Sequence, residues 1–197
     1  MKYGAFDSRL RILSILSIVI FGSLLGFAII SRATSSEAGP SSFSFSPEEI
    51  SRLPSGTEPR DWKVIVIHHS ETEDEPITAM SRRYIEMGFK SIPFHFIVHA
   101  DGSIESTTAW KLQKPVSQTM DEKYFNTVSI GICVMGNFSD PGSQPSSTQM
   151  SGVILLTRHI MKTFRIKKAY VLPCRDIDDT LSPGENFPWR TFLYSIR

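Results

Sequence analysis

Hydrophobic positions between residues 60 and 197 form short β-branched runs that alternate with stretches of helical periodicity. Apolar runs of about four to eight residues predict buried strands, and apolar residues recurring every three or four positions predict helices with one buried face. The predicted strands are Trp62–Ile67, Phe94–Val98, Val128–Met135 and Ala169–Leu172, and the predicted helices are Pro76–Phe89 and one that Ser146-Ser147 cap and that runs through Phe164. This alternation predicts an α/β domain with a central mixed β-sheet flanked by helices.

The N-terminal end has a different pattern, an uncharged apolar run from Ile12 to Ile30. Its length matches the about 20 residues that a helix needs to cross a bilayer. A cleaved signal peptide is the alternative, but its apolar core of about 7–15 residues is shorter. Basic residues dominate the segment before the run, which predicts a cytoplasmic N-terminus over residues 1–11. We therefore predict a single-pass anchor at 12–30 in the cell membrane, with the rest of the chain on the periplasmic or extracytoplasmic side.

Residues 31–59 are rich in Ser and Pro and are typical of a tether, with one possible short helix at Pro47–Leu53. The folded domain is predicted over residues 60–197. The whole chain has 21 Lys+Arg against 20 Asp+Glu, and this balance argues against nucleic acid as a partner, because nucleic-acid binding needs a clustered basic surface.

Polar motifs follow or flank the predicted strands in a fixed order. They are Val64–Ser70, Phe94–Val98 with Asp101-Gly102, Ser129–Cys133 with Gly136–Phe138, Gln149-Met150, Cys174–Ile177 and Ser182–Trp189. Each motif is weak alone, but their order and spacing over residues 62–192 resemble the type 2 N-acetylmuramoyl-L-alanine amidase and peptidoglycan recognition protein family. The resemblance implies that peptidoglycan or muramyl-peptide fragments are the partner.

The resemblance also implies a reaction and a cofactor. Members of the family hydrolyse the amide between the lactyl group of N-acetylmuramic acid and L-alanine, with Zn²⁺ held by three protein ligands. Such a zinc polarises the carbonyl and lowers the pKa of its bound water to about 7. The matching ligand positions are His68, Cys174 and Ser182. Cys174 stands where the family has a second His, and Ser182 stands where it has Cys or Asp.

These substitutions change the chemistry of the implied metal site. A thiolate is a normal zinc ligand, whereas a neutral hydroxyl is a poor one. Phe94 occupies the position of a family Tyr and lacks its hydroxyl, while Thr180 fits the Thr that some members place near the reacting carbonyl. A His that the family places before the third strand is missing from residues 114–119.

Cys133, the second of only two cysteines, falls on the third predicted strand. It could be a replacement zinc ligand beside His68 and Cys174, a disulfide partner of Cys174, or a free thiol in the core. Two functions therefore stay open from the sequence: a zinc amidase with a rebuilt metal site, or a catalytically inactive module that binds peptidoglycan in the same groove.

Overall fold

A five-stranded mixed sheet forms the centre of the domain. The computed structural model describes residues 46–119 and 123–197. The strands are β1 (Val64–His69), β2 (Phe96–Val98), β3 (Ile104–Ser106), β4 (Ser129–Val134) and β5 (Val171–Pro173), and the helices are α1 (Pro47–Ile50), α2 (Ile77–Glu86), α3 (Thr108–Lys111), α4 (Lys123–Val128), α5 (Ser147–Phe164) and α6 (Trp189–Ser195), with 3₁₀ turns at Lys168–Tyr170 and Cys174–Asp176. The predicted α/β architecture with a central mixed sheet is confirmed.

The strand order is β3-β2-β4-β1-β5. β1 runs parallel to both β4 and β5, β2 runs parallel to β4, and only β3 is antiparallel to its neighbour. The carboxyl ends of four strands therefore meet along one edge of the sheet. In open α/β sheets, ligands bind outside this edge.

Both faces of the sheet are covered, which explains why β1 and β4 are continuous apolar runs. On one face, Ile65 and Ile132 pack in the same cluster as Val153, Leu156 and Ile160 of helix α5. On the other face, Val64 and Val66 pack with Cys174, and Cys133 packs with Met80 of α2. The second face belongs to the half of the domain that carries the polar motifs.

Helix α5 has the start and end that the sequence predicts. The Ser146 hydroxyl accepts a hydrogen bond from the Gln149 backbone N–H at 3.0 Å, which satisfies one of the free donors of the first turn. The helix ends where Arg165 adopts a left-handed conformation with φ of 55°. Helix α2 is shorter than predicted, because Gly88 leaves the helical conformation with φ of 91°.

Residues before Arg60 also contribute to the folded core. Ser46 and Glu49 form a reciprocal capping box at the start of α1. Ile50 and Leu53 pack against the core, and the Trp110 indole donates to the Ser51 carbonyl at 3.1 Å. Part of the segment predicted as a tether is therefore packed structure.

The predicted membrane anchor at 12–30 lies outside the described residues. In residues 46–119 and 123–197, no helix combines the length and the apolar character that crossing a bilayer requires.

Candidate functional site

A cavity of about 340 Å³ opens beyond the carboxyl end of β1. Five chain segments supply its lining. The lining residues are His68 and His69 at the end of β1 with Ser70, Glu71 and Thr72 after it; Arg83, Tyr84, Met87 and Phe89 from α2 and the turn after it; Pro93 and Phe94 before β2; Ser117, Gln118 and Thr119 before β4; and Cys174, Asp178, Thr180 and Ser182 after β5. The structure thus brings His68, Phe94, Cys174, Thr180 and Ser182 to one pocket.

The sheet wall, by which we mean His68, Phe94 and Gln118, is buried and tightly connected. The His68 Nε2 lies 3.1 Å from the Gln118 Oε1, and the His68 ring packs 4.9 Å from the Phe94 ring. Burial lowers the pKa of His68 to about 4, and the Gln118 hydrogen bond only partly opposes this effect. His68 is therefore a neutral imidazole at pH 7.

Gln118 lies in the segment before β4 from which the family's His is missing. The sequence signalled the missing His but not the role of this glutamine. Besides its bond to His68, the Gln118 amide nitrogen donates to the Ser129 carbonyl at 3.2 Å and to the Ser129 hydroxyl at 3.1 Å. Gln118 thus ties the pocket histidine to the start of β4.

Phe94 leaves the pocket without the hydroxyl that the family Tyr would supply, but a second aromatic residue lies beside it. Tyr84 on α2 packs against Phe94 with ring centroids 5.6 Å apart and lines the same cavity. Burial raises the pKa of Tyr84, so its phenol stays protonated at all physiological pH values. Sequence reasoning missed Tyr84, because it lies inside the predicted helix Pro76–Phe89 and belongs to none of the polar motifs.

The loop wall, by which we mean Cys174, Thr180 and Ser182, closes the opposite side. The Ser182 hydroxyl accepts a hydrogen bond from the His69 backbone N–H at 3.1 Å, and the Thr180 hydroxyl accepts one from the Ser182 N–H at 3.2 Å. Burial raises the pKa of Cys174 to about 12, and the nearby Asp178 carboxylate adds to the effect. Cys174 is therefore a neutral thiol in this environment.

Cys133 does not reach the pocket lining. It aligns with His68 in the parallel ladder between β1 and β4, and it is fully buried in a cluster with Met80, Tyr84 and Ile97. Burial raises its pKa above the usual range for a thiol. Both cysteines are free, so no disulfide joins them.

The charged residues of the pocket lie at its rim. Arg83 forms a 2.7 Å salt bridge with Glu75 and packs over the Tyr84 ring. His69 accepts a hydrogen bond at Nδ1 from the Phe138 N–H, and its Nε2 lies 3.5 Å from the exposed Glu71 carboxylate without a hydrogen bond. Within residues 46–119 and 123–197, no three or more His, Cys, Asp or Glu side chains are grouped so that they could hold a metal ion.

Comparison with known proteins agrees with this architecture. A sequence model of the family described as N-acetylmuramoyl-L-alanine amidase matches residues 58–185. Peptidoglycan recognition protein 1 of Mus musculus is 28% identical over 101 residues, which are 51% of this chain and 52% of the mouse protein. The chain thus matches about half the length of this relative.

Two solved structures illustrate the similarity of fold. The amidase LysC from Clostridium intestinale superposes with a TM-score of 0.61 at 24% identity, covering 69% of this chain and 85% of LysC. Peptidoglycan recognition protein-LE, solved in complex with tracheal cytotoxin, superposes with a TM-score of 0.57 at 23% identity, covering 71% of this chain and 86% of that protein. Because the family model matches more than half of the chain, the chain belongs to the type 2 N-acetylmuramoyl-L-alanine amidase and peptidoglycan recognition protein family.

Proposed function

We propose that this domain binds muramyl peptides of peptidoglycan in the His68 pocket without hydrolysing them. Family membership supports the ligand class, since the mouse relative is named for peptidoglycan recognition and the protein-LE structure holds a monomeric peptidoglycan. The chemistry of the pocket supports binding over hydrolysis.

The donor set is the observation that carries this proposal. A catalytic zinc needs three strong protein ligands and an open fourth position. Of the three family ligand positions, only His68 and Cys174 belong to the side chains that normally bind zinc. The Ser182 hydroxyl is neutral and already accepts the His69 N–H, and burial together with the Asp178 carboxylate raises the pKa of Cys174 and disfavours its thiolate. These residues do not fit a catalytic zinc.

Fewer free hydroxyl groups are also available near the position of the carbonyl that the family's reaction implies. Phe94 cannot donate a hydrogen bond, and the Thr180 hydroxyl is engaged by the Ser182 backbone. The pocket keeps buried aromatic and neutral polar groups on its walls. This combination suits recognition of an uncharged glycan–peptide junction.

Retention on insoluble peptidoglycan tests the proposal directly. We expect the full-length protein to be retained and to remain bound after chelation with EDTA, while releasing no free stem peptide from the polymer. Thr180→Trp, which fills the pocket from the loop wall, should abolish retention. Leu181→Trp is the matched control, because Leu181 is 58% exposed and does not line the pocket.

Elemental analysis of the same protein after incubation with zinc separates the two functions. One zinc per chain together with cleavage of the lactyl–L-alanine amide would establish a zinc amidase and refute the proposal. Failure of the wild-type protein to bind peptidoglycan would refute recognition as well.

We also propose that residues 12–30 anchor the protein in the cell membrane with the pocket outside. The uncharged run and the basic residues before it support this topology. Protease added to right-side-out vesicles should remove the domain, and protection of the domain in those vesicles would contradict the proposed orientation.

A further inference from the structure

We infer that Gln118 is a positioning residue that holds His68 with its proton on Nε2, so that Nδ1 offers the pocket a hydrogen-bond acceptor for a ligand N–H or O–H group. The part of this inference that concerns the ligand rests on the proposed function. The part that concerns the histidine tautomer stands on the hydrogen bonds of the free protein.

The direction of each hydrogen bond around Gln118 is determined by a backbone carbonyl. The Phe125 carbonyl can only accept, so the Ser129 hydroxyl donates to it. The Ser129 oxygen is then available as an acceptor for the Gln118 amide nitrogen at 3.1 Å. The Ser129 carbonyl, which also can only accept, lies 3.2 Å from the same nitrogen. The amide group of Gln118 therefore has one orientation.

This orientation sets the tautomer of His68. With its nitrogen directed at Ser129, Gln118 presents Oε1 to the His68 Nε2 at 3.1 Å. An amide oxygen carries no proton, so His68 must donate from Nε2, and its lone pair is left on Nδ1. Among the described residues, Nδ1 of His68 has no hydrogen-bond partner, and it is not one of the fully buried unpaired atoms. It is the acceptor that the pocket can offer.

Gly131 makes room for this arrangement. A Cβ atom at Gly131 would collide with Oε1 of Gln118, so any larger residue would push the amide away from His68. The glycine of the Ile-Gly-Ile segment thus has a specific role in this chain, which is to let a glutamine lie flat against β4.

His69 provides an internal reference. Its Nδ1 accepts a hydrogen bond from the Phe138 backbone N–H at 3.2 Å, so its tautomer depends on the main chain and not on Gln118. Any change that acts through Gln118 should alter the ring nitrogens of His68 and leave those of His69 unchanged.

The experiment is ¹⁵N spectroscopy of histidine rings in the full-length protein labelled at histidine. In the wild type, His68 should carry its proton on Nε2. In Gln118→Met, which keeps the length of the side chain and removes both polar groups, the two His68 nitrogens should shift toward the values of mixed tautomers. Lys114→Met on the same segment should change neither histidine. If Gln118→Met does not fold, Gly131→Ala is the replacement variant. It displaces the same amide from the other side and should shift the His68 nitrogens in the same way.

Binding of two ligands tests whether Nδ1 of His68 accepts a hydrogen bond from the ligand. Muramyl dipeptide offers the lactyl–L-alanine N–H, and its analogue methylated at that nitrogen does not. One net hydrogen bond corresponds to a roughly 3- to 10-fold preference of the wild type for the unmethylated peptide. In Gln118→Met this preference should shrink, since only part of the His68 population then has a free Nδ1 lone pair.

Each result has a distinct meaning. A proton on Nδ1 of His68 in the wild type, or His68 signals that do not respond to Gln118→Met, would overturn the role of Gln118. Equal affinity of the wild type for both peptides would overturn the acceptor role of Nδ1. If the wild type binds neither peptide, the proposed function fails together with the ligand part, while the ring spectra still decide the tautomer.

Discussion

The sheet wall and the loop wall of the pocket differ in the residues that they place at the family's ligand positions. On the sheet wall, His68 matches the residue type that the family uses, and its Nε2 lies 3.1 Å from the Gln118 Oε1. On the loop wall, Cys174 and Ser182 stand where the family has His and Cys or Asp, and the Ser182 hydroxyl accepts a hydrogen bond from the His69 backbone N–H of β1. The comparison teaches that a hydrogen bond to the sheet can hold a substituted loop in the wall of the pocket.

Restoring the family's ligand residues at positions 174 and 182 should remove the difference between the two walls, and we expect this change to have the largest effect. The double variant Cys174→His with Ser182→Cys should bind one zinc per chain, because His, His and Cys form a standard zinc donor set. At free zinc 1,000 times above the dissociation constant, binding should stabilise the variant by about 4 kcal/mol. Elemental analysis and thermal unfolding with and without zinc measure this effect. No zinc uptake would show that the loop wall has moved out of ligand distance.

We expect close backbone packing beside the loop wall to contribute more to the stability of the domain than any side chain of the loop wall does. Gly184 has φ of 97°, and a Cβ atom there would overlap the Phe138 backbone. Gly184→Ala should therefore destabilise the domain by about 3 kcal/mol through combined strain and overpacking. Gly142→Ala is the control, because Gly142 has φ of 78° with no atom near its Cβ position, and it should cost only about 1 kcal/mol. Equal losses in chemical denaturation would mean that loop packing is unimportant.

The free energy of unfolding of the domain should depend on pH, and part of this dependence should come from His95. This residue is fully buried between the Lys114 carbonyl and the Gly131 N–H, and burial lowers its pKa to about 4. Because the folded pKa lies below the unfolded value of 6.5, the stabilisation is present above pH 6.5 and is lost as the pH falls toward 4.

Between pH 7.5 and 4.5, His95 should account for a loss of about 2 kcal/mol in the free energy of unfolding. Replacing His95 with Gln should remove this share of the pH dependence, whatever the absolute stability of the variant. Denaturation curves across this range measure it, and an unchanged slope in His95→Gln would contradict the assignment.

Loss of the hydrogen bond from the His69 N–H to the Ser182 hydroxyl should have the smallest effect. Ser182→Ala leaves the buried His69 N–H without its acceptor, which should cost about 1 kcal/mol. Ser151→Ala removes a hydroxyl from the exposed surface of helix α5 and should be nearly neutral. If the two substitutions cost the same, Ser182 does not join the walls.

Much of the fold was predictable because its signals are local. The β-branched run before His68 and the Ser146 cap of α5 act over a few residues, and the structure confirms the sheet and the long helix. The convergence of His68, Cys174 and Ser182 was predictable only through the order of the motifs. Because these residues are far apart along the chain, their positions alone do not predict that they line one pocket.

The roles of Gln118 and Cys133 could not be predicted from the sequence. Gln118 follows β2 by about 20 positions in an irregular segment, so no periodic pattern directs its side chain to His68. Cys133 is on the pocket face of β4 by register, but helix α2 covers it with Met80 and Tyr84. Contacts of this kind depend on how elements stack, which residue spacing does not encode.

The sequence by itself determined the family, the α/β class and the departure of Cys174 and Ser182 from the family's ligand residues, because side-chain chemistry belongs to the residue type wherever the chain places it. Only the tertiary structure decided how the remaining groups are used: His68 is neutral and oriented, Ser182 braces the His69 backbone, and Cys133 lies in the core. Burial and hydrogen-bond direction are properties of the assembled pocket, since they arise from segments that meet only after the chain has folded.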